Sequence, residues 1–373
     1  MENAIEKSIS FLLFIAIGIL LKKKISAGDE TNGLKNLILT IALPATIFIA
    51  LLKVNIHDNL LVYPILALFF NATLFSFTPA LLYIIGISKD APAARSAKLL
   101  VPSLAPGLSC FPFILEFLGD NALAKAAMAD LGNKFFVLFL LYLVALRWHY
   151  KNVDFEKTSI KSKLKALLKT LLYEPVNLFI FAALILVSFD ITIDKIPSYI
   201  ADTLTRLSYI MTPLVLIFIG LAVKLKKKQF FELFSLLLLR ASFTLLVVTG
   251  IVALMDITVH KDILVMIAFS LSSCSFWPFA HISAIHFKEK NETPENKTFD
   301  TNFALSILAL SLPISVLLIL GILTAGDTFT SISNLLLLAT SLAFVGIVYP
   351  LFKRIQKQVV KKEVSNRVIE NNI

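Results

Sequence analysis

The chain has 373 residues, 57% hydrophobic and 16% charged, with a formal net charge of +10 and a mean hydropathy of +0.83. Soluble domains carry nearer a quarter charged residues, so these totals exclude a water-soluble fold and indicate an integral membrane protein. The two cysteines, Cys110 and Cys274, both lie in apolar stretches, which excludes an extracellular disulfide framework.

A membrane-spanning helix needs about 20 apolar residues. Eleven stretches qualify: 5–21, 34–52, 60–86, 97–119, 122–148, 171–189, 199–223, 230–255, 263–287, 302–323 and 331–352. The start MENAIEKSIS carries two glutamates, Glu2 and Glu6, and no small-residue cleavage signature follows Leu20, so the first stretch reads as a retained helix rather than a signal peptide.

Positive charge alternates between the connections. One set holds Lys22, Lys23, Lys24 and Lys35; Lys89, Arg95 and Lys98; Arg147, Lys151, Lys157, Lys161, Lys163, Lys165 and Lys169; Lys224, Lys226, Lys227 and Lys228; Lys288, Lys290 and Lys297; and the tail from Lys353. The other set holds only Lys53, Lys125, Lys195, Arg206 and Lys261, and the amino-terminal stub holds Lys7. Basic connections face the cytoplasm. The pattern therefore predicts eleven helices in the inner (plasma) membrane, with the N-terminus outside and the C-terminus cytoplasmic. The basic excess is a topology signal, and the expected macromolecular partner is the lipid bilayer, not nucleic acid.

Stretch 97–119 is interrupted by Pro102, Pro106, Gly107 and Pro112. Proline removes a donor and clashes with the preceding turn, and freed backbone groups are tolerated in lipid only beside protein or a water-filled cavity. About 166 residues later, 271–283 repeats the device: Ser109, Phe111, Pro112 and Phe113 align with Ser275, Trp277, Pro278 and Phe279. Pro44 and Pro213 are about 169 apart, and Asp130 and Asp300 about 170. Two interrupted spans in corresponding halves point to a transporter's binding site. The basic connection near 148–170 divides the first ten helices into five and five, and an odd number per repeat inverts the second copy. The predicted organisation is a first repeat over 1–148, a cytoplasmic linker over 149–170, a second repeat over 171–323, an extra transmembrane helix over 324–352 and a cytoplasmic tail over 353–373.

Charged groups inside spans are costly and are functional candidates. Asp130 and Lys134 share a helix face, with Asn133 beside them. They are either a self-neutralising structural pair or a site in which Lys134 meets an anionic substrate while Asp130 tunes it or takes a proton. Glu116 and His281 are the other candidates for ion or proton coupling. Arg240 is expected to snorkel to the inner surface. The half-helices at the breaks would offer N–H groups and positive dipole ends to an anion. Ser109 and Ser275 either cap or contact the ligand, or bond back to their own helix. Phe111 and Trp277 supply aromatic walls. Cys110 and Cys274 read as small buried hydrophobes. The candidate substrate-binding set is Ser109, Cys110, Phe111, Pro112, Asn133, Lys134, Ser275, Phe276, Trp277 and Pro278. No phosphate-cradling glycine loop and no metal-spaced His/Cys cluster is present, so neither an enzyme nor a resident cofactor or metal is expected.

These residues resemble the auxin efflux carrier family of membrane transporters, across about 11–320. GILLKKKISAGDETNGLKNLILTIALPATIF is similar to that family's first two helices, with Leu43–Pro44. FPFILEFLGDNALAKAAMADLGN is similar to its fourth and fifth, with Pro112, Gly119 and Asp130–Asn133. TPLVLIFIGLAVK is similar to its seventh, with Pro213 and Gly220. The resemblance implies the bile acid/sodium symporter-like fold: ten helices in two inverted five-helix repeats, with the fourth and ninth broken and crossing at Pro112 and Pro278. This chain departs where the family often has Gly-Asn-Thr, holding Leu104, Ala105 and Pro106 instead. It also departs at Lys134 and in its eleventh helix. The expected activity is secondary transport of a small organic anion, a carboxylate foremost, driven by a Na+ or H+ gradient, with a homodimer as the candidate assembly. The alternative is a non-transporting ligand sensor or interaction protein using the same pocket.

Overall fold

In the computed structural model the described residues are 2–25, 29–53, 60, 62–152, 160–222, 230–289 and 296–370. Their regular elements are all helical, as apolar chain in lipid requires, because each N–H must find its carbonyl within the segment. In order they are α1 (Glu2–Leu21), α2 (Glu30–Leu52), α3 (Val62–Ile85), α4 (Pro92–Leu100), α5 (Pro106–Ser109), α6 (Phe111–Leu118), α7 (Asp120–Tyr150), α8 (Ile160–Tyr173), α9 (Pro175–Ser188), α10 (Ser198–Ala222), α11 (Phe230–Leu254), α12 (His260–Ser270), α13 (Phe276–Lys288), α14 (Thr301–Ala325) and α15 (Ile332–Glu370).

Eight of these are long and apolar enough to cross a membrane: α1, α2, α3, α7, α10, α11, α14 and α15. The chain is a multi-pass helical membrane protein. The apolar helix α9 has only 14 residues. The expected spans 97–119 and 263–287 are each divided, into α4–α6 and into α12 and α13. Helix α15 continues through Pro350 to Glu370, across the stretch read as a tail. Of the basic residues used for topology, Lys157, Lys224, Lys226, Lys227, Lys228 and Lys290 lie outside the described residues.

Several prolines start helices here. Pro92, Pro106, Pro112 and Pro175 each occupy a first turn, where the missing N–H has no intrahelical role. Asp300 caps α14, its side chain accepting from the Phe303 N–H at 2.9 Å. Large apolar side chains such as Leu20, Leu254, Leu337 and Phe344 are exposed, as a lipid-facing surface requires.

Two close approaches fix the frame around the breaks. A Cβ on Gly18 of α1 would lie 2.2 Å from the Ile217 carbonyl oxygen of α10, and one on Gly220 would lie 2.2 Å from that of Ile15. A Cβ on Gly132 of α7 would sit 2.0 Å from the Pro64 oxygen of α3. Small residues at such crossings let membrane helices pack backbone to backbone.

Candidate functional site

The two breaks lie at residues 101–105 and 271–275. Pro102 and Pro106 remove donors from the first, and the Ser-Ser-Cys-Ser run of the second offers hydroxyls that compete with helix hydrogen bonds. Each break satisfies the other. The Ala105 N–H donates to the Ser273 oxygen at 2.8 Å, the Ser273 N–H to Ser109 Oγ at 3.0 Å, and the Ser275 N–H to Ser103 Oγ at 2.9 Å. The Cys274 N–H donates to Ser311 Oγ of α14 at 3.2 Å. The interrupted spans therefore cross at Ser103–Ala105 and Ser273–Ser275.

Three of the freed carbonyls share one partner. Arg240 Nε donates to the Val101 oxygen at 2.8 Å, and its second terminal nitrogen donates to the Ser272 oxygen at 2.9 Å and the Ser103 oxygen at 3.3 Å. Arg240 is 3% exposed and sits about 15 Å along α11 at the usual rise per residue. This corrects the expectation that Arg240 snorkels to the surface. Carbonyls orphaned by the breaks lie within reach. Hydrogen bonds to a charged group, at about 1.5–3 kcal/mol each, offset an insertion cost of about 2.5–3.5 kcal/mol.

A cavity of about 190 Å³ opens beside the crossing. Leu104–Leu108 form one wall, and Ser275, Phe276 and Trp277 at the start of α13 form another. Helix α7 contributes Asp130, Asn133 and Lys134, which helical spacing puts on one face. Glu174 and Val176 come from the start of α9, and Lys35, Leu39 and Leu43 from α2.

Asn133 fastens the break to α7. Its Oδ1 accepts from the Leu104 N–H at 3.1 Å, and its Nδ2 donates to the Leu104 oxygen at 2.9 Å and to Asp130 Oδ1 at 2.8 Å. Asn71 of α3 donates to the same Asn133 Oδ1 at 3.0 Å. The Lys134 ammonium lies 3.1 Å from Glu174, 3.4 Å from Asp130 and 3.0 Å from Asn177 Oδ1. Two carboxylates thus share one lysine. Lys35 makes no ion pair among the described residues, and its ammonium rests 4.6 Å from the centre of the Phe276 ring.

The cavity brings together six of the sequence candidates: Asp130, Asn133, Lys134, Ser275, Phe276 and Trp277. Seven lie elsewhere. Ser109 donates to the Ala105 oxygen and accepts from Ser273, so the crossing uses its hydroxyl. Cys110, Phe111 and Pro112 are buried in the core beyond the crossing, and Pro278 is buried in the first turn of α13. Glu116 lies on α6, where its backbone oxygen accepts from Lys7 Nζ at 2.7 Å. His281 is buried, with Nε2 3.1 Å from the Val137 oxygen and its ring 5.1 Å from that of Tyr142. Pro112 and Pro278 therefore do not mark the crossing. The expected open N–H groups at the breaks are, at Leu104, Ala105, Ser273, Cys274 and Ser275, already paired.

Over 206 residues the chain is 29% identical to an uncharacterized transporter of Methanocaldococcus jannaschii. Fold and similarity together support a transporter. The match covers 54% of this chain and 63% of that protein, so the chain aligns with less than two thirds of its relative's length. No protein-family model matches.

Sequence reasoning missed Lys35, Glu174 and the role of Arg240. Glu174 carried a weak signal, since a carboxylate next to a helix-starting proline, Pro175, lies at the edge of an apolar stretch. The convergence of Val101, Ser103 and Ser272 on Arg240 joins residues more than 30 positions apart and leaves no local pattern.

Proposed function

We propose that the chain is a secondary transporter of a small organic anion, a carboxylate foremost, and that its substrate occupies the cavity beside the crossing. The observation that carries this reading is the split of charge within that cavity. Lys134 is held by Asp130 and Glu174, whereas Lys35 faces the same space with no ion pair among the described residues. Lys35 is then the partner of the substrate carboxylate, and Phe276 and Trp277 flank its apolar part. This reassigns to Lys35 the contact first expected of Lys134.

Asp130 and Glu174 compete for one ammonium. Either can take a proton while the other keeps Lys134 paired, which suits coupling to a proton gradient. The cavity lies at an interruption of two spans, where alternating access would expose it to each side in turn. No chemistry on the substrate is required, so the protein is read as a carrier and not an enzyme.

Membership of the auxin efflux carrier family fits this arrangement. So does a count of eleven passes, reached when α9 and the two divided spans join the eight long helices. Two inverted repeats are favoured by the breaks themselves. Helix α5 begins at Pro106 and α13 at Phe276, about 170 residues apart, close to the spacing of Pro44 and Pro213 and of Asp130 and Asp300. The orientation stays as the basic connections indicate, with the C-terminus cytoplasmic, and a homodimer is the proposed assembly.

The test is uptake of radiolabelled mono- and dicarboxylates into proteoliposomes with the purified chain. Lys35→Ala should raise KM for the transported anion at least tenfold, and Lys35→Arg should restore most of it. Saturable binding without any flux would favour a ligand sensor; equal KM for wild type and Lys35→Ala would remove the site.

A further inference from the structure

Three carbonyl oxygens from two interrupted spans converge on one positive group. Val101 and Ser103 belong to the first break and Ser272 to the second, and all lie 2.8–3.3 Å from nitrogens of Arg240. Unwound carbonyls turned towards a common point are the means by which membrane carriers hold a mobile monovalent cation. Rings of carbonyls replace an ion's hydration shell in the same way. Here the positive charge is covalently part of the chain. Arg240 is 3% exposed and makes no ion pair with a carboxylate among the described residues, so the carbonyl dipoles are what balance it.

We infer that Arg240 is a resident cation, occupying the position at the crossing that a mobile sodium ion would otherwise need. The crossing therefore binds no sodium in the native protein, and removal of the guanidinium leaves a cage that accepts a small monovalent cation. The guanidinium plane also explains why an arginine stands here. One flat group reaches Val101 through Nε and Ser103 and Ser272 through a terminal nitrogen, whereas a lysine ammonium is a single point charge. Arg240 thus acts as a positioning residue that ties both spans to α11 and does not touch the substrate cavity. The consequence for coupling rests on the transporter reading above; the cation cage does not.

Thermal unfolding of the purified full-length chain in detergent tests this without any flux. Sodium chloride and choline chloride at equal ionic strength should give the same Tm for the wild type. Arg240→Ala should melt several degrees lower and recover at least half of that loss in millimolar guanidinium chloride, a concentration too low to denature or to move the wild type. A saturable, sodium-specific rise in wild-type Tm would overturn the inference, and so would an Arg240→Ala variant indifferent to guanidinium and to alkali cations. Should Arg240→Ala not fold, Arg240→Lys and Arg240→Gln decide. Lysine keeps the charge but not the planar fork and should melt between the wild type and Arg240→Gln, while Arg240→Gln should melt lowest and gain from added cation; equal melting of the two variants would overturn the assignment. Because no substrate enters these measurements, their failure leaves the transport reading standing, and failure of uptake leaves the cation assignment standing.

Discussion

The ammonium of Lys134 lies 3.1 Å from the carboxylate of Glu174, which reaches it from the start of the next apolar helix. Asp130, one turn earlier on α7, holds the same ammonium at 3.4 Å. With Lys134 and Asp130 both nearly buried, the lysine is a structural counter-ion before it is anything else. Removing one partner of a buried pair leaves an uncompensated charge and costs about 3–5 kcal/mol. Lys134→Met should therefore destabilise the protein by about 3 kcal/mol, and adding Glu174→Gln should recover part of it. Chemical denaturation in detergent measures both. Equal stability of Lys134→Met and wild type would show that the three charges do not depend on one another.

The same pair bears on coupling. If a carboxylate beside Lys134 carries the proton, Glu174→Gln should reduce the stimulation of uptake by an inward proton gradient. Exchange of substrate across the bilayer, which needs no gradient, should persist. Unchanged stimulation in Glu174→Gln and in Asp130→Asn alike would move the proton site elsewhere.

Asn133 replaces a lost helical partner for Leu104, accepting from its N–H and donating to its oxygen. Asn133→Leu keeps the number and branching of side-chain heavy atoms but leaves both backbone groups buried and unpaired, at about 1–3 kcal/mol each. The first break should loosen. Amide hydrogen exchange across 101–109 should rise in the variant while exchange along α11 stays the same; a uniform rise would indicate global destabilisation instead.

The contact between α1 and α10 tolerates no side chain. Gly220→Val would drive a Cβ to 2.2 Å from the Ile15 oxygen, and a backbone oxygen inside a helix cannot step aside. Gly250 of α11 has nothing within 4 Å of its hypothetical Cβ and serves as the control. Gly220→Val should abolish or sharply cut the yield of monodisperse protein on size-exclusion chromatography, and Gly250→Ala should match the wild type.

Much of this arrangement was legible because its signals are local. Pro102 and Pro106 announce a break wherever they occur in an apolar run, and Asp130 and Lys134 announce a shared face by their spacing. The crossing itself was displaced, because Pro112 and Pro278 look alike and invited alignment. The second break ends at Phe276, which carries no proline signal, and the first ends at Pro106. Arg240 was misread for a related reason. Its distance from the helix start was plain, but the carbonyls that hold it belong to chain far away in sequence. Lys35 and Glu174 lie at the margins of apolar stretches, where a charge is ordinarily solvated, and only the packing of α2, α7 and α9 turns them inward.

The central claim, that two interrupted spans meet and that transport requires them to move against one another there, is tested most directly by a disulfide across them. The Ala105 N–H and the Ser273 oxygen are 2.8 Å apart, so the two backbones touch directly, and disulfides bridge Cα atoms up to about 6.8 Å apart. In a background with Cys110→Ala and Cys274→Ala, the pair Ala105→Cys and Ser273→Cys should cross-link on mild oxidation, stop uptake, and release it again on reduction. Failure to cross-link under oxidant that joins a control pair within one helix, or uptake undiminished by a complete cross-link, would contradict the account.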